Sequence, residues 1–498
     1  MADKPTAAEA TESSATTRAK PKAQPRKLRG KDAVTEARRL GGWDFATWRM
    51  ATDDPVMRST IIGLLILETR PKWDLLLERF ERATRLAPAL RSVVVEGPLD
   101  LQTPRVVVDP NFDLSYHMRR YSMPGGSTWD DVLAEARRQS MSDFDRNRPL
   151  WRVTVLEDLP GGRSALIMKL HHAIADGQGT VQLGLTLFDF AQDSGDLGPM
   201  PDAPEPAVLD TSGFLQAVIR HNLGWVTQAA EGAVKGIGPL AISAIKSPRR
   251  LIGQVVDTAA SLVRFTSVPL GPLSPIMQAR SLNYHFATID IDFAEFRAAA
   301  KARERTVNDL FLAAISVGLR RYHEEMGHPV DKLRVNMPIS LRTSEDQTNA
   351  VTIARFEIPI SNAIDEVLEA AANTVRTWRA EPALKLADYL AELSRFLPPE
   401  LVSAAAQTSD LTASNVPGVP VPVWLAGAKV ERMYPLVGTI GAAMNVTMLT
   451  YEGTASVGVS TDDAAVGDQE QLIASLRYGF GEVIGAAALA PQPLTDDS

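Results

Sequence analysis

Apolar positions along this chain switch repeatedly between a strand-like and a helix-like pattern. Ser59–Glu68 carries the run Ile61-Ile62-Gly63-Leu64-Leu65-Ile66-Leu67 and reads as a buried strand. Trp73–Leu86 then sets Leu76, Phe80 and Ala83 on one face, which predicts a helix. A second helix opens at Thr128-Trp129-Asp130-Asp131 with a capping-box-like start. Leu150–Leu156 and Ser164–His172 flank the turn residues Pro160-Gly161-Gly162 and predict a hairpin. The mixture returns after Arg280: a strand at Asn283–Ile291, a helix at Val307–Tyr322, and strands at Leu333–Pro338 and Val351–Pro359. An Ala-rich helical stretch leads to Ser414-Asn415-Val416-Pro417-Gly418. Three strands (Gly427–Met433, Ala443–Tyr451, Thr454–Ser460) and a helix at about Asp468–Ile484 close the pattern.

These alternations predict an α/β (α+β) protein of two similar lobes, each a mixed sheet with helices. The predicted division is a disordered basic tail at 1–39, an N-terminal lobe at 40–193, a linker at 194–274, a C-terminal lobe at 275–488 and a flexible end at 489–498. The linker opens with Pro199, Pro201, Pro204 and Pro206. Beyond them Phe214–Phe265 is weakly amphipathic and carries Lys235, Lys246, Arg249, Arg250 and Arg264. It reads as a helical crossover packed on the body, or as a surface that lies on lipid.

Composition changes the picture in three places. A length of 498 residues with 45% apolar and 22% charged residues suits a globular protein of two to three domains. The net charge of −8 gives the body no general attraction to nucleic acid. The absence of cysteine excludes disulfides, thiolate metal sites and cysteine nucleophiles. Met1 to about Lys31 lacks the apolar centre of a secretory signal, and no segment approaches the ~20 apolar residues of a membrane span. The expectation is therefore a cytoplasmic protein. The basic residues from Arg18 to Arg39, countered only by Asp32 and Glu36, form either a solvated tail or a contact with an anionic membrane or lipid droplet.

The candidate chemistry lies at the end of the hairpin. Two of the seven histidines are adjacent there, in His171-His172-Ala173-Ile174-Ala175-Asp176-Gly177, an HHxxxDG string. Histidine suits proton transfer near neutral pH. Strand alternation sends the two rings to opposite faces, so one works and the other supports. His172 falls on the apolar side with Leu166, Met168 and Leu170, which favours the free base. Asp176 holds the loop, Gly177 frees its backbone, and a helix beginning near Gly179 points its positive end at the site. Two ordinary histidines in a hairpin are the competing reading. A metal site is poorly supported, since no other His/Asp/Glu cluster has ligand spacing. No G-x-S-x-G elbow supports a serine hydrolase.

The surrounding motifs resemble the bacterial wax ester synthase/diacylglycerol acyltransferase family, within the CoA-dependent acyltransferases that include chloramphenicol acetyltransferase and peptide-synthetase condensation domains. In order, they are Pro88-Ala89-Leu90-Arg91, Asp145-Arg146-Asn147-Arg148-Pro149-Leu150-Trp151, the HHxxxDG string, Ser274-Pro275, Thr306-Val307-Asn308-Asp309-Leu310, Asn336-Met337-Pro338-Ile339-Ser340-Leu341-Arg342, Ser414–Gly418, and Asn445 with Tyr451-Glu452-Gly453. Together they span about Gly41–Ile484. The chain departs from the family pattern at Thr348-Asn349, at Val419 and at Gly41-Gly42-Trp43-Asp44, which bears on acceptor preference.

The resemblance implies two chloramphenicol acetyltransferase-like lobes, with His172 as general base, His171 supporting it and Asp176 orienting the loop. It implies acyl-CoA as co-substrate and no bound cofactor or metal. Pro149, Leu150, Trp151, Asn308 and Asp309 read as structural, the last two through helix capping. Ser414 and Asn415 read either as an oxyanion donor or, more simply, as part of a turn before Pro417-Gly418. Arg342 either pairs with Asp176 or reaches a CoA phosphate. The implied activity is esterification of diacylglycerol with a long-chain acyl group. The alternatives are wax ester synthesis on long-chain alcohols, and a catalytically weak relative that binds membrane or lipid droplets.

Overall fold

The computed structural model describes residues 38–40, 42–96, 104–174, 184, 186–193, 195, 197–206, 271–340, 351–361, 363–379, 399–486 and 489. The Met1–Lys31 tail, the Phe214–Phe265 stretch, the helix start near Gly179, and Asp176, Gly177 and Arg342 lie outside these residues.

Two six-stranded mixed sheets organise the chain. The first has the order β12 (Trp424–Leu425), β13 (Ala428–Val437), β2 (Thr60–Leu67), β7 (Ser164–His171), β6 (Trp151–Glu157), β5 (Met118–Ser122). Its pairs are antiparallel except β5–β6. The second runs β10 (Val351–Pro359), β9 (Lys332–Ser340), β11 (Leu411–Val416), β14 (Met444–Tyr451), β15 (Thr454–Asp462), β8 (Tyr284–Asp292). Here β11 is parallel to both neighbours. A small sheet joins β1 (Arg38–Arg39), β4 (Arg105–Val108) and β3 (Ser92–Val95).

The predicted helices and hairpin form for the local reasons given by the sequence. In α2 (Trp73–Leu86) the buried stripe includes Leu76, Phe80 and Ala83, and each large apolar side chain so buried contributes about 1.5–3 kcal/mol. Helix α4 (Trp129–Met141) starts with a complete capping box between Thr128 and Asp131. The β6–β7 hairpin pairs Trp151 with Leu170 and Leu156 with Ala165. In the second lobe α6 (Val307–Glu325) and α9 (Gln469–Ile484) cover one sheet face around a core that includes Leu310, Phe311, Leu472 and Phe480. These two helices touch backbone to backbone. A Cβ at Gly479 would lie 2.2 Å from the Ala314 carbonyl oxygen.

Between the lobes the chain exchanges strands. Residues of β12 and β13, late in the sequence, pair into the first sheet through β2 rather than into the sheet of their sequence neighbours. Extended hydrophobic pattern alone cannot assign such a strand to a sheet. β13 then crosses β15 so closely that a Cβ at Gly458 would meet the Pro435 carbonyl oxygen at 2.0 Å. Tyr434 donates to Asp290 Oδ2 at 2.7 Å, and Trp129 Nε1 donates to Thr288 Oγ1 at 3.0 Å. Both bonds link the first lobe to β8. The start of the linker is strapped to α2: Arg79 pairs with Asp189, and Arg82 and Arg85 donate to the carbonyls of Gly198, Pro199 and Pro201.

Candidate active site

β7 ends at His171, and His172–Ile174 form a 3₁₀ turn. His172 is therefore not a strand residue sharing a face with Leu166, Met168 and Leu170, as alternation predicted. The strand ends one residue earlier, and His172 N–H makes the last bond of the pairing with β2, to Ser59 O at 2.9 Å.

The two rings differ in environment. His171 is buried, with its ring edge-on to Trp48 of α1 (Gly42–Asp53) at 5.5 Å and to Phe144 at 5.8 Å. Its Nδ1 accepts the N–H of Ala173 at 3.1 Å, which makes it the neutral Nε2–H tautomer. Burial, followed by the neighbouring His172 and Arg146, pushes its pKa down to about 3. His172 is half-buried. Among the described residues its Nδ1 is enclosed without a hydrogen-bond partner. Burial lowers its pKa, partly opposed by its own backbone carbonyl. The imidazole is a free base at neutral pH.

The Pro149-Leu150-Trp151 motif holds this turn from behind. The Leu150 carbonyl accepts His171 N–H at 3.0 Å. Trp151, the first residue of β6, is 1% exposed, stacks between Phe80 (5.8 Å) and His117 (4.4 Å), and donates Nε1–H to Leu90 O at 2.7 Å. Arg146 lies over Trp48 and donates to Thr52 Oγ1 at 2.6 Å, tying the motif to α1. Lys169, two residues before His171 on β7, is buried over Phe144 and donates to Ser142 O at 2.6 Å. Burial brings its amine down to about 7. Sequence reasoning missed Lys169, although the alternation that places it with His171 was legible.

Ser414 and Asn415 are strand residues in β11, not part of a turn. They pair with Thr447 and Met448 of β14. Their weak strand propensity is overridden by this pairing with β14, which continues that of Leu411–Ala413. Alternation separates them. Leu411 and Ala413 face the apolar core, so Ser414 points to the opposite face, the one approached by β13. Asn415 faces the helices and donates Nδ2–H to Asn308 Oδ1 at 2.6 Å. Asp309 does cap α6, in a box with Thr306. Capping does not account for Asn308, whose side chain ties the start of α6 to β11.

The second lobe reaches the histidine turn through the loop between β13 and β14. Gly438 N–H donates to Thr60 O at 2.9 Å, and Asn445 Nδ2 donates to Gly438 O at 3.3 Å. Among the described residues no group of three or more His, Asp or Glu side chains is placed to hold a metal ion, and no helix is long and apolar enough to cross a membrane.

Two mixed sheets, an exchanged strand and a histidine turn at the end of a central strand define the two-lobed architecture of acyl-transferring and condensation enzymes. The starter condensation domain of rhizomide synthetase, solved with C8-CoA, superposes with a TM-score of 0.57 at 13% identity over 94% of this chain and 98% of that one. A wax ester synthase/diacylglycerol acyltransferase from Marinobacter aquaeolei VT8 does so with a TM-score of 0.56 at 20% identity, over 89% and 98%. The model of the wax ester synthase/diacylglycerol acyltransferase catalytic domain matches residues 40–311, and that of the WS/DGAT C-terminal domain matches 348–483. The chain belongs to this family and is an acyltransferase. A Mycobacterium tuberculosis protein named as a diacylglycerol O-acyltransferase is 33% identical over 465 residues, covering 91% of this chain and 93% of its own.

Proposed function

We propose that the protein transfers a long-chain acyl group from acyl-CoA to the free hydroxyl of diacylglycerol, giving triacylglycerol and free CoA. The carrying observation is His172: an imidazole whose pKa burial lowers, held on the turn that follows a central strand. His172 Nε2 takes the proton of the acceptor hydroxyl as its oxygen attacks the thioester carbonyl. The tetrahedral oxyanion collapses, the C–S bond breaks, and the imidazolium returns its proton to the departing thiolate. A general base of this kind contributes typically 10²–10⁴-fold. The Ser414 hydroxyl, on the cleft face of β11, supplies a donor for the oxyanion. His171, Leu150 and Trp151 position the turn, and Asp176 has an orienting role in this reading.

Diacylglycerol resides in lipid, so the protein works at a membrane or droplet surface, and the basic residues between Arg18 and Arg39 favour an anionic one. The relatives named as diacylglycerol O-acyltransferases support the acceptor. The test is transfer of label from long-chain acyl-CoA with diacylglycerol or a long-chain alcohol offered in turn, with His172→Ala alongside. Label in triacylglycerol that depends on His172 supports the reading. Label only in wax ester reassigns the acceptor, and an active His172→Ala protein removes the base assignment.

A further inference from the structure

A guanidinium carries five N–H groups in a fixed fork. Arg280, just ahead of β8, spends all five on backbone carbonyls. Its Nε donates to Gly441 O at 2.6 Å, Nη1 to Met277 O at 2.9 Å and Ala279 O at 2.8 Å, and Nη2 to Gln407 O and Ser409 O, each at 3.0 Å. The side chain thereby joins three stretches far apart in sequence. They are the approach to β8, the end of α8 (Pro399–Gln407) with the residues before β11, and the loop between β13 and β14. Burial lowers its pKa, opposed by Asp462 and Asp410. Those carboxylates are held in place by the backbone N–H groups of Ser281 and Ser274.

Two of the joined stretches press on the residues just before β2. Gln407 Nε2 donates to Asp54 Oδ2 at 3.1 Å. Ala406 and Ile440 pack on Ala46, Met50 and Met57, a small core shared between α1 and the second lobe. A Cβ at Gly441 would lie 2.7 Å from Met57 Sδ, and one at Gly438 would lie 3.1 Å from Arg58 O. The Gly438–Gly441 loop therefore lies against the first lobe at both ends. Its backbone is also strained, with φ 49° at Ile440 and 81° at Gly441. A β-branched residue keeps the left-handed region only where its surroundings impose it. The Arg280 bond to the Gly441 carbonyl supplies one such constraint, and the Met57 contact supplies another.

The residues gripped in this way carry the catalytic turn. Gly438 N–H donates to Thr60 O, Thr60 pairs with His171, and Ser59 O accepts His172 N–H. The helix α1, seated on the same small core, places Trp48 against His171. We infer that Arg280 is a positioning residue for His172, acting through the Gly438–Gly441 loop. A lysine would keep the charge, but its donors sit on one atom and cannot reach three separate stretches. The inference rests on the assignment of His172 as the base.

The experiment compares Arg280→Lys and Gly441→Ala, singly and together, with the parent. Arg82→Lys serves as control, because Arg82 also clasps backbone carbonyls, those of Gly198 and Pro199, at the start of the linker. Arg280→Lys is expected to lower kcat about ten- to a hundredfold, as a misplacement of roughly 1 Å does, with KM for acyl-CoA and acceptor within about threefold. Gly441→Ala pushes the loop off Met57 and should show the same split. The double variant should be little slower than the slower single one, because both substitutions loosen one element. Amide hydrogen exchange should quicken about tenfold or more over 437–443 and 171–174 in Arg280→Lys. Arg82→Lys should lower Tm while leaving kcat within about twofold and exchange at 171–174 unchanged. A parent-like kcat in Arg280→Lys, a change confined to KM, fully additive losses in the double variant, or unchanged exchange at 171–174 overturns the inference. Where Arg280→Lys does not fold, Gly441→Ala decides: the kcat loss together with faster exchange at 171–174 supports the inference, and either one missing overturns it. His172→Ala is run alongside. If it is active, the base assignment falls and the inference with it. If it is inactive while Arg280→Lys is parent-like, the inference alone falls.

Discussion

Replacing His171 by leucine and by asparagine separates the two things its ring does. Leucine keeps most of the apolar volume wedged between Trp48 and Phe144 but removes the acceptor of the Ala173 N–H. Asparagine does the reverse, since its Oδ1 falls near the place of Nδ1. An unpaired buried N–H costs about 1–3 kcal/mol. The Ala173 amide escapes that cost only by leaving the 3₁₀ turn, which carries His172 with it. The leucine variant should therefore lose about 5- to 150-fold in kcat, at a factor of ten per 1.4 kcal/mol. The asparagine variant should stay within about fivefold of the parent while losing more thermal stability. The expected orders are opposite: asparagine above leucine in kcat, leucine above asparagine in Tm. Since His171 has a pKa of about 3, it is neutral throughout the working range. The acid limb of kcat/KM then belongs to His172 and should not move in either variant. Equal kcat losses, matching orders in the two measurements, or a shifted acid limb would refute the positioning role.

Further outcomes follow from other parts of the fold. His117 is 1% exposed, donates Nδ1–H to Trp151 O at 2.7 Å, and is pushed down to about 4 by burial. A histidine lowered on folding stabilises above its unfolded pKa of about 6.5, and that contribution is lost as pH falls toward 4. Between pH 7 and 5 it removes about 2 kcal/mol, and His117→Asn, which keeps the donor, should flatten the pH dependence measured in denaturant titrations by that amount. His172 also has a lowered pKa, so the acid limb of kcat/KM should lie below 6.5, and a midpoint at or above that value contradicts a desolvated base. Gly458→Ala forces β13 and β15 apart at Pro435 and should cost several kcal/mol of overpacking, read as a lower Tm with acyl transfer lost in proportion. Deletion of residues 1–37 should weaken binding to anionic but not neutral vesicles at low salt, and unchanged cosedimentation would remove the tail from the lipid contact.

Periodicity located the longer strands and helices, which are specified by contacts within themselves or with sequence neighbours, but not α1, the small sheet, β5, β11, β12 or the helix Phe293–Ala302. Trp73–Leu86 and Val351–Pro359 formed at the predicted bounds. The capping residues Thr128 and Thr306 started their helices where the sequence put them. What the pattern could not show depends on partners distant in sequence. β13 looks like any buried strand, and only its pairing with β2 reveals that it belongs to the first sheet. Ser414-Asn415 before Pro417-Gly418 has the composition of a turn, and its strand identity comes from pairing with Thr447 and Met448 of β14. The place where β7 stops is set within its pairing with β2, more than a hundred residues away in sequence.

The two motif pairs obey one physical rule despite lying on different lobes. In each, adjacent residues of an extended or just-ending strand point in different directions, one into packing and one toward the cleft. His171 is locked by Trp48, Phe144 and the Ala173 amide, and His172, on the turn beyond the strand, is the less buried of the two. Asn415 is locked to Asn308 at the start of α6, and Ser414 has its hydroxyl on the cleft side. A side chain cannot be both rigidly bonded and available to substrate, so the chain divides the tasks between neighbours. The locked member fixes the backbone from which the free member projects. Catalytic geometry tolerates errors of well under an ångström, and a half-open side chain cannot supply that precision alone. Replacement of His172 or Ser414 should therefore change the chemistry while sparing the fold, whereas replacement of His171 or Asn415 should disturb placement first and the reaction only through it.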